Sequence, residues 1–317
     1  MTSRPNPCGR TTTHPAHYAH IIWFTFENAR RSAILGSNVT DTAYFKLLDS
    51  QCGDVRNMHA EQHPSAGNYV AMMSGGTQGI TGDPNPKHAL TANNLFNEVQ
   101  VSGAQWRQYS SRMPTNCDMN NYPAAPNSYY TSHHEPAPYF GDIYSHSNGQ
   151  DCLHWDVPLA SGERGALCQS ADPTQCPDTS NGALEKDLTD ETLPEFAYIG
   201  PADDGGKSTL GGEVDPKLGN DFLERWMSRI VNSSYWSTGN TAVVITWDEP
   251  SPTNSSINST PIPTIVVAPS IKPGSHTNGT TYYNHYSLLR AVQQKLGLTP
   301  LLGKAATAND LASAFNW

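Results

Sequence analysis

The chain has 317 residues, of which 19 are basic and 29 acidic, and its formal net charge at pH 7 is −10. This length is enough for one large domain, and no linker-like stretch divides the chain, so we expect a single domain over residues 1–317. The negative charge argues against nucleic acid or an anionic membrane as an electrostatically bound partner. No apolar run reaches the roughly eighteen residues of a membrane-spanning helix, so we expect no transmembrane segment.

The N-terminus and the cysteines bear on the compartment. Residues 1–7 contain no apolar signal core, which leaves a cytosolic protein or a mature secreted form as alternatives. The six cysteines include no Cys-x-x-Cys pair, and their even number in a loop-rich chain favours disulfides over reduced thiols. We therefore predict a secreted or extracellular protein. Of about fifteen possible pairings, we favour Cys168–Cys176, which closes a short proline-containing loop, with Cys117–Cys152 and Cys8–Cys52.

Two apolar runs predict strands at the centre of a parallel sheet. His20–Phe26 and Thr241–Trp247 are almost continuously apolar or β-branched, which is typical of strands buried on both faces. Each run is followed at once by a polar pair that includes a carboxylate: Glu27 and Asn28 after the first, and Asp248 and Glu249 after the second. Open α/β sheets bind ligands beyond the carboxyl ends of their strands, so these side chains are candidate ligand residues. Ordinary loop polarity is the alternative for the first pair.

The segment 61–76 contains the candidate nucleophile. Pro64 and Ser65 precede an apolar run that predicts a helix, which places Ser65 in its first turn. Unpaired backbone N–H groups and the positive end of the helix dipole favour an anion such as phosphate at that position. The alternative is that Ser65 is only the N-cap of the helix, a frequent role for serine.

Local patterns predict the remaining elements. We expect further helices over 41–52, Leu95–Ser102, Asn220–Val231 and from about residue 282 to Leu296. We expect further strands over Ala104–Met113, Phe196–Pro201 and Pro261–Ala268.

Residues 114–192 are irregular and rich in Pro, Asn, Asp and Tyr, and they hold four of the six cysteines. We expect them to form a loop-rich insertion that walls the active site. This insertion contains the adjacent His133 and His134, while His285 lies in the first turn of the last predicted helix. Exposed surface histidines are the alternative for all of them.

Five of the residues identified so far form an oxygen-rich set: Glu27, Asn28, Ser65, Asp248 and Glu249. Hard oxygen donors suit Mg²⁺, Mn²⁺ or Ca²⁺ better than ions that prefer soft ligands. A divalent ion in contact with a serine hydroxyl lowers the pKa of that hydroxyl and holds it in line with a phosphorus atom. We therefore predict a divalent metal ion bound by this set.

The order of motifs resembles that of a known enzyme family. A strand ending in Glu-Asn is followed by His-Pro-Ser-x-x-Asn-Tyr, His-x-Pro-x-x-Tyr-Phe, Thr-Trp-Asp-Glu and Tyr-x-Asn-His-Tyr-Ser-Leu-Leu-Arg. From about residue 18 to 303, the chain resembles the phosphoesterase family of bacterial phospholipases C and acid phosphatases, within the alkaline phosphatase superfamily. The resemblance implies a three-layer α/β/α sandwich with a mostly parallel central sheet. It also implies a nucleophilic Ser65, a metal site at the carboxylate pairs, and a phosphate pocket lined by Asn68, His134 and His285.

By that resemblance, Ser65 attacks phosphorus in line and water then hydrolyses the phosphoserine intermediate, with His134 or His285 as proton donor to the leaving alcohol. One departure concerns residues 203–207, which read Asp-Asp-Gly-Gly-Lys where many members carry Asn-Asp-Gly-His-Asp. Loss of that histidine favours the less charged diester, so we favour a phospholipase C-like phosphodiesterase acting on phospholipids or their glycerophospho head-group derivatives. The alternatives are an acid phosphatase acting on phosphomonoesters and a catalytically decayed protein that only binds a phosphate ligand. We expect a phosphoester substrate and a monomer.

Overall fold

The computed structural model describes residues 6–122, 130–145, 150–159, 183–200, 216–252 and 254–317. The strands in chain order are β1 (His20–Phe26), β2 (Gly53–Asp54), β3 (Met58–His59), β4 (Trp106–Ser110), β5 (Asp156–Pro158), β6 (Phe196–Gly200), β7 (Thr241–Trp247), β8 (Thr264–Val267), β9 (Ser275–His276) and β10 (Tyr283–Asn284). The helices are α1 (Arg31–Ile34), α2 (Ala43–Gln51), α3 (Ala66–Ser74), α4 (Leu95–Val101), α5 (Gly141–Ser145), α6 (Gln150–Trp155), α7 (Ala183–Thr189), α8 (Pro216–Val231), α9 (Ser234–Ser237) and α10 (His285–Leu296).

A mostly parallel sheet forms the centre of the described structure. Its order is β5-β4-β6-β1-β7-β8-β2-β9, and the first five strands run parallel to one another. β8 lies antiparallel to β7 and to β2, whereas β9 lies parallel to β2. β3 and β10 form a separate two-stranded sheet. The predicted bounds of the two central strands, β1 and β7, match the structure, because continuous apolar runs leave little choice of position in a doubly covered sheet.

The side chains of β1 point alternately to the two faces of the sheet, and each face packs against a different layer of helices. Phe24 and Phe26 point to one face, where their rings contact Phe222 of α8, and Phe26 also contacts Phe45 of α2. Thr25 points to the opposite face, where its hydroxyl contacts the sulfur of Met72 in α3. Helix α10 packs against α3 on that second face. The predicted three-layer sandwich is therefore confirmed.

Several predicted elements differ in length. The predicted strand Pro261–Ala268 is confined to Thr264–Val267, because Pro261 and Pro263 cannot donate to a ladder. The insertion 114–192 was predicted to be irregular, but its described parts contain α5, α6, β5 and α7. Short elements of three to seven residues carry too little periodicity to stand out in a loop-rich sequence.

Two of the three predicted disulfides are present in the described structure. Cys8 is bonded to Cys52, and Cys117 is bonded to Cys152. The predicted pair Cys168–Cys176 lies outside the described residues. Over the described part of the chain, none of the helices is long and apolar enough to cross a membrane.

Candidate active site

The two carboxylate pairs meet because β1 and β7 are in parallel register. Phe26 lies opposite Trp247, so the residues that follow them emerge side by side at one edge of the sheet. Asn28 then turns the chain in the left-handed region, at φ 51°, a conformation that asparagine tolerates better than most residues. Its backbone N–H donates to Asp248 Oδ1 at 2.8 Å. The strand ends are thus joined directly, as the sequence predicted.

Ser65 lies immediately before α3, with its side chain 5% exposed. Its backbone is itself helical, at φ −54° and ψ −49°, and its side chain makes no capping hydrogen bond to the helix. The hydroxyl instead donates to Glu27 Oε2 at 3.4 Å. Ser65 thus stands at the N-cap position of α3, but its hydroxyl contacts a carboxylate at the strand ends and caps no helix N–H group.

Glu27 is the most connected side chain at the strand ends, and it is 1% exposed. Its Oε2 accepts a hydrogen bond from Asn28 Nδ2 at 2.7 Å, while Tyr69 donates its hydroxyl to Oε1. Burial, followed by the charge of Glu27, raises the pKa of Tyr69 well above its usual value, so the phenol remains a donor. Tyr69 was not among the predicted site residues, although its tyrosine stood in the motif that follows Ser65.

Asp248 is fully buried beside this carboxylate. Burial raises the pKa of Asp248 to about 6, and hydrogen bonds with Ser65 and with the Asn28 backbone N–H oppose that rise. An ionised carboxylate at this position is costly unless a positive charge compensates it.

Glu249 has a different partner from the other predicted ligands. Its Oε2 lies 2.8 Å from Nδ1 of His63, whose Nε2 lies 3.1 Å from the carbonyl oxygen of Ser255. Burial, followed by the charges of Asp248 and Asp83, raises the pKa of Glu249 to about 10, while burial lowers the pKa of His63. A carbonyl only accepts, so His63 donates through Nε2, which leaves Nδ1 without a proton in the neutral ring. Nothing in the sequence pattern singled out His63 as this partner.

The three predicted carboxylate ligands do not form a compact triad. In the described chain, the set of three potential ligand residues whose ligand atoms lie within 4.8 Å of one another is His88, Cys117 and Cys152. Both cysteines of that set are oxidised in one disulfide, so they offer no thiolate to a metal. Glu249 instead places its Oε2 beside His63 Nδ1.

His134 reaches the site from the insertion. It ends a short 3₁₀ turn, Ser132–His134, and it is 1% exposed. Its Nε2 lies 3.4 Å from Glu27 Oε2, and its ring centroid lies 5.3 Å from that of Tyr69. The structure therefore brings His134, from the insertion, and Ser65 to the same carboxylate oxygen.

His285 is buried at the first position of α10. Its Nε2 donates to the carbonyl oxygen of Trp247 at 3.0 Å. Burial lowers the pKa of His285 to about 4, although the hydrogen bond to Trp247 opposes that shift. The ring is therefore neutral near pH 7, and its one N–H is occupied. This geometry disfavours the expected role of His285 as proton donor, while its Nδ1 remains an acceptor.

Asn68 serves the segment that precedes Ser65. Its Oδ1 accepts the backbone N–H groups of Glu61 at 2.8 Å and Gln62 at 3.1 Å, and its Nδ2 donates to the carbonyl oxygen of Gln62 at 2.9 Å. The predicted phosphate contact thus fixes the backbone that leads to the nucleophile, because three of its bonds close a loop onto α3.

Glu61 connects this loop to α10. Its Oε1 accepts the backbone N–H of His285 at 3.1 Å, and its Oε2 accepts from Asn284 Nδ2 at 3.4 Å. Burial raises the pKa of Glu61 from 4.5 to about 7, opposed by the His285 N–H and the charge of Lys304. Sequence reasoning did not identify Glu61, because its partners lie more than two hundred residues away in the chain.

Glu61→Gln is expected to make the free energy of unfolding decrease less steeply as pH rises. Between about pH 4.5 and 7 the folded carboxyl keeps a proton that the unfolded chain releases, so this group makes the wild type less stable as pH rises. The glutamine variant should gain on the order of 3 kcal/mol relative to the wild type from pH 5 to pH 8. Urea unfolding at both pH values measures this. Glu191→Gln, at an exposed position, should leave the slope of the free energy of unfolding against pH unchanged. The same slope in the wild type and in both variants would contradict the effect of burial on Glu61.

Comparisons with known proteins agree with the fold and with the motif order. Residues 168–299 match the model of the Phosphoesterase family. The phosphatidylinositol-3-phosphatase of Mycobacterium tuberculosis is 24% identical over 296 residues, covering 92% of this chain and 81% of that protein. An acid phosphatase of Aspergillus fumigatus is 25% identical over 260 residues, which are 82% of this chain and 51% of that enzyme. The chain therefore spans about half the length of that acid phosphatase.

A solved structure of a protein in the alkaline phosphatase superfamily, from Vibrio parahaemolyticus, superposes with a TM-score of 0.54. It is 12% identical, and the match covers 94% of this chain and 72% of that one. At this identity the likeness concerns the fold alone. The family-model match and the sequence relatives agree with the predicted resemblance to the phosphoesterase family, and the structural match agrees with the predicted fold.

Proposed function

We propose, from the relationship of the chain to the phosphoesterase family, that it hydrolyses phosphoester bonds with the help of a divalent metal ion. One observation carries the proposal: the Ser65 hydroxyl caps no helix and points at the buried carboxylate of Glu27, where β1 and β7 end. A serine that stabilised only the helix would direct its oxygen towards the N–H groups of α3. A protein that merely held a phosphate ligand would have no use for a hydroxyl in this position.

The residues at the strand ends fit a hard cation. Asn28 Oδ1 is buried and has no hydrogen-bond partner, which is an unfavourable state for an amide oxygen unless it has a ligand. Among the described residues, neither Asp248 nor Glu249 is paired with a lysine or arginine, and burial raises both of their pKa values. The proposed ligands are Glu27, Asn28, Ser65, Asp248 and Glu249. Such oxygen donors favour Mg²⁺, Mn²⁺ or Ca²⁺.

When bound, the ion would lower the pKa of the Ser65 hydroxyl and neutralise charge on the phosphoryl oxygens. Glu27 Oε2 accepts the hydroxyl hydrogen of Ser65, which orients the oxygen lone pairs for attack on phosphorus. Tyr69 and Asn28 hold the carboxylate of Glu27 in place through hydrogen bonds to its two oxygens. Burial raises the pKa of Glu249 to about 10, so this carboxyl would have to lose its proton to serve as a ligand.

His134 is the favoured proton donor to the leaving alcohol. His134 Nε2 and Ser65 Oγ each lie 3.4 Å from Glu27 Oε2, so the two side chains are no further apart than the sum of those distances. A phosphoryl group bound between them would meet the nucleophile on one side and the imidazole on the other. His285 is less suited, since its N–H is donated to Trp247.

The names of the relatives favour a phosphomonoester as substrate. The mycobacterial relative is a phosphatidylinositol-3-phosphatase, and two fungal relatives are acid phosphatases. We therefore place an acid phosphatase-type activity ahead of the phospholipase C-like activity that the sequence suggested. The phosphodiesterase remains the second candidate, because an acidic side chain, Asp83, contacts the start of the nucleophile helix and adds negative charge there.

We also propose that the protein is secreted. Two disulfides are present in the described structure, and such bonds persist mainly in oxidising compartments.

Assays with chromogenic esters test the proposed function. Purified protein should release nitrophenol from para-nitrophenyl phosphate, and treatment with EDTA should reduce the rate at least about a hundredfold. Addition of Mg²⁺, Mn²⁺ or Ca²⁺ should restore it. Faster release from bis(para-nitrophenyl) phosphate would favour the phosphodiesterase. Absence of turnover on both esters with every ion would leave only the phosphate-binding alternative.

A further inference from the structure

The loop between α3 and α4 is hydrogen-bonded to the nucleophile segment and to the insertion. The hydroxyl of Tyr139, in the insertion, donates to the carbonyl oxygen of Pro84 at 2.6 Å. Gln62, three residues before Ser65, donates through Nε2 to the carbonyl oxygen of Ile80 at 3.0 Å. The loop is therefore attached on both sides of Asp83, once to the nucleophile segment and once to the wall.

Asp83 occupies the position where a substrate oxygen would be expected. Its Oδ1 accepts the backbone N–H of Ala66 at 3.0 Å. Ala66 directly follows Ser65 and begins the nine-residue helix α3, so this N–H is covalently adjacent to the nucleophile. A phosphoryl group attached to Ser65 would need such a donor for one of its non-bridging oxygens.

The charge of Asp83 is not compensated locally. In the described parts of the chain, no lysine, arginine or histidine forms an ion pair with it. Asp83 is exposed to solvent, and its charge contributes to the raised pKa of Glu249 after burial and the charge of Asp248. An incoming phosphate therefore meets a fixed negative charge next to Ser65.

We propose that Asp83 is a specificity-determining residue that favours phosphoryl groups with one negative charge over those with two. The inference rests on the proposed function and states which substrates the site accepts. A phosphodiester carries one charge at any working pH. A phosphomonoester carries one charge only below its second pKa of about 6, and two above it. The same carboxylate would thus admit diesters generally and confine monoester binding to acidic conditions.

Asp83→Asn tests the proposal, because the amide oxygen can still accept the Ala66 N–H while the charge is removed. Calorimetry on the metal-loaded protein should show inorganic phosphate binding about tenfold tighter than to the wild type at pH 8, and about threefold tighter at pH 5, because the repulsion scales with the charge of the ligand. The ratio of kcat/KM for para-nitrophenyl phosphate to that for bis(para-nitrophenyl) phosphate at pH 8 should rise about threefold for the same reason. Asp83→Ser, which also removes the charge, should behave alike.

Asp41→Asn removes the same charge from an exposed position in the segment that leads into α2. It should leave the phosphate affinity and the ratio of the two kcat/KM values as they are in the wild type. Unchanged phosphate affinity at pH 8 in the Asp83 variants would overturn the proposal, and so would an equal change at both pH values. Should the wild type hydrolyse neither ester, the proposed function would fail, whereas the calorimetric comparison would still decide the role of Asp83.

Discussion

Ser65→Ala is expected to reduce turnover of para-nitrophenyl phosphate by at least about a thousandfold, because it removes the hydroxyl that is proposed to attack phosphorus. The melting temperature should change by no more than about two degrees, since the side chain makes no capping bond to the helix and its hydroxyl, in the described part of the chain, hydrogen-bonds only to the carboxylates of Glu27 and Asp248. Steady-state kinetics and a thermal unfolding scan give the two values.

Ser74→Ala is the matched control for this substitution. Ser74 is the last residue of the same helix, and its hydroxyl donates to the carbonyl oxygen of Val70 at 2.8 Å, away from the strand ends. The Ser74→Ala variant should hydrolyse para-nitrophenyl phosphate at the wild-type rate. Rapid acid quenching followed by mass spectrometry should find a phosphorylated peptide containing Ser65 in the wild type and in the control. Phosphate on a different residue would refute the nucleophile assignment.

Asp248→Asn is expected to weaken divalent metal binding about a hundredfold, and activity should return at high metal concentration. The substitution preserves an oxygen for the Asn28 N–H but removes the charge that a cation requires. In the wild type, metal affinity should fall as pH drops through about 6, because protonation of the buried carboxylate competes with the ion. The variant should lose that part of the pH dependence.

Titration calorimetry with Mn²⁺ at pH 5 and pH 8 measures both effects. Asp310→Asn, an exposed acid far along the chain, serves as the control and should bind metal as the wild type does. Equal affinities for wild type and Asp248→Asn at pH 8 would show that this carboxylate is not a ligand.

The predictions that succeeded depended on strong local patterns. The apolar runs of β1 and β7 predicted both strands and the edge at which Glu27 and Asp248 emerge, since parallel neighbours end together. The proline and serine before an apolar run located the start of α3. Motif order predicted a resemblance to the phosphoesterase family, which the family model and the sequence relatives support. Each of these results follows from residues close together in the chain or from their sequence order.

The features that the sequence did not reveal are the hydrogen-bond and charge partners of the site residues. Tyr69 donates to Glu27, His63 faces Glu249, and Asp83 contacts the N–H that follows Ser65. His285, one of the two predicted proton donors, donates to a backbone carbonyl, and burial lowers its pKa to about 4. The periodicity of a sequence does not indicate which of many polar side chains a given carboxylate will contact.

The sequence by itself determined the order of strands and helices, the central position of β1 and β7, and the identity of the acidic and hydroxyl groups at their ends. These depend on the spacing of apolar residues, which is a local property. Only the tertiary structure decided how the charges are arranged: Glu249 on His63, Asp83 at the start of α3, and a buried neutral His285. Protonation and hydrogen bonding depend on burial and on distances of a few ångströms, and the packing of segments far apart in the chain sets both.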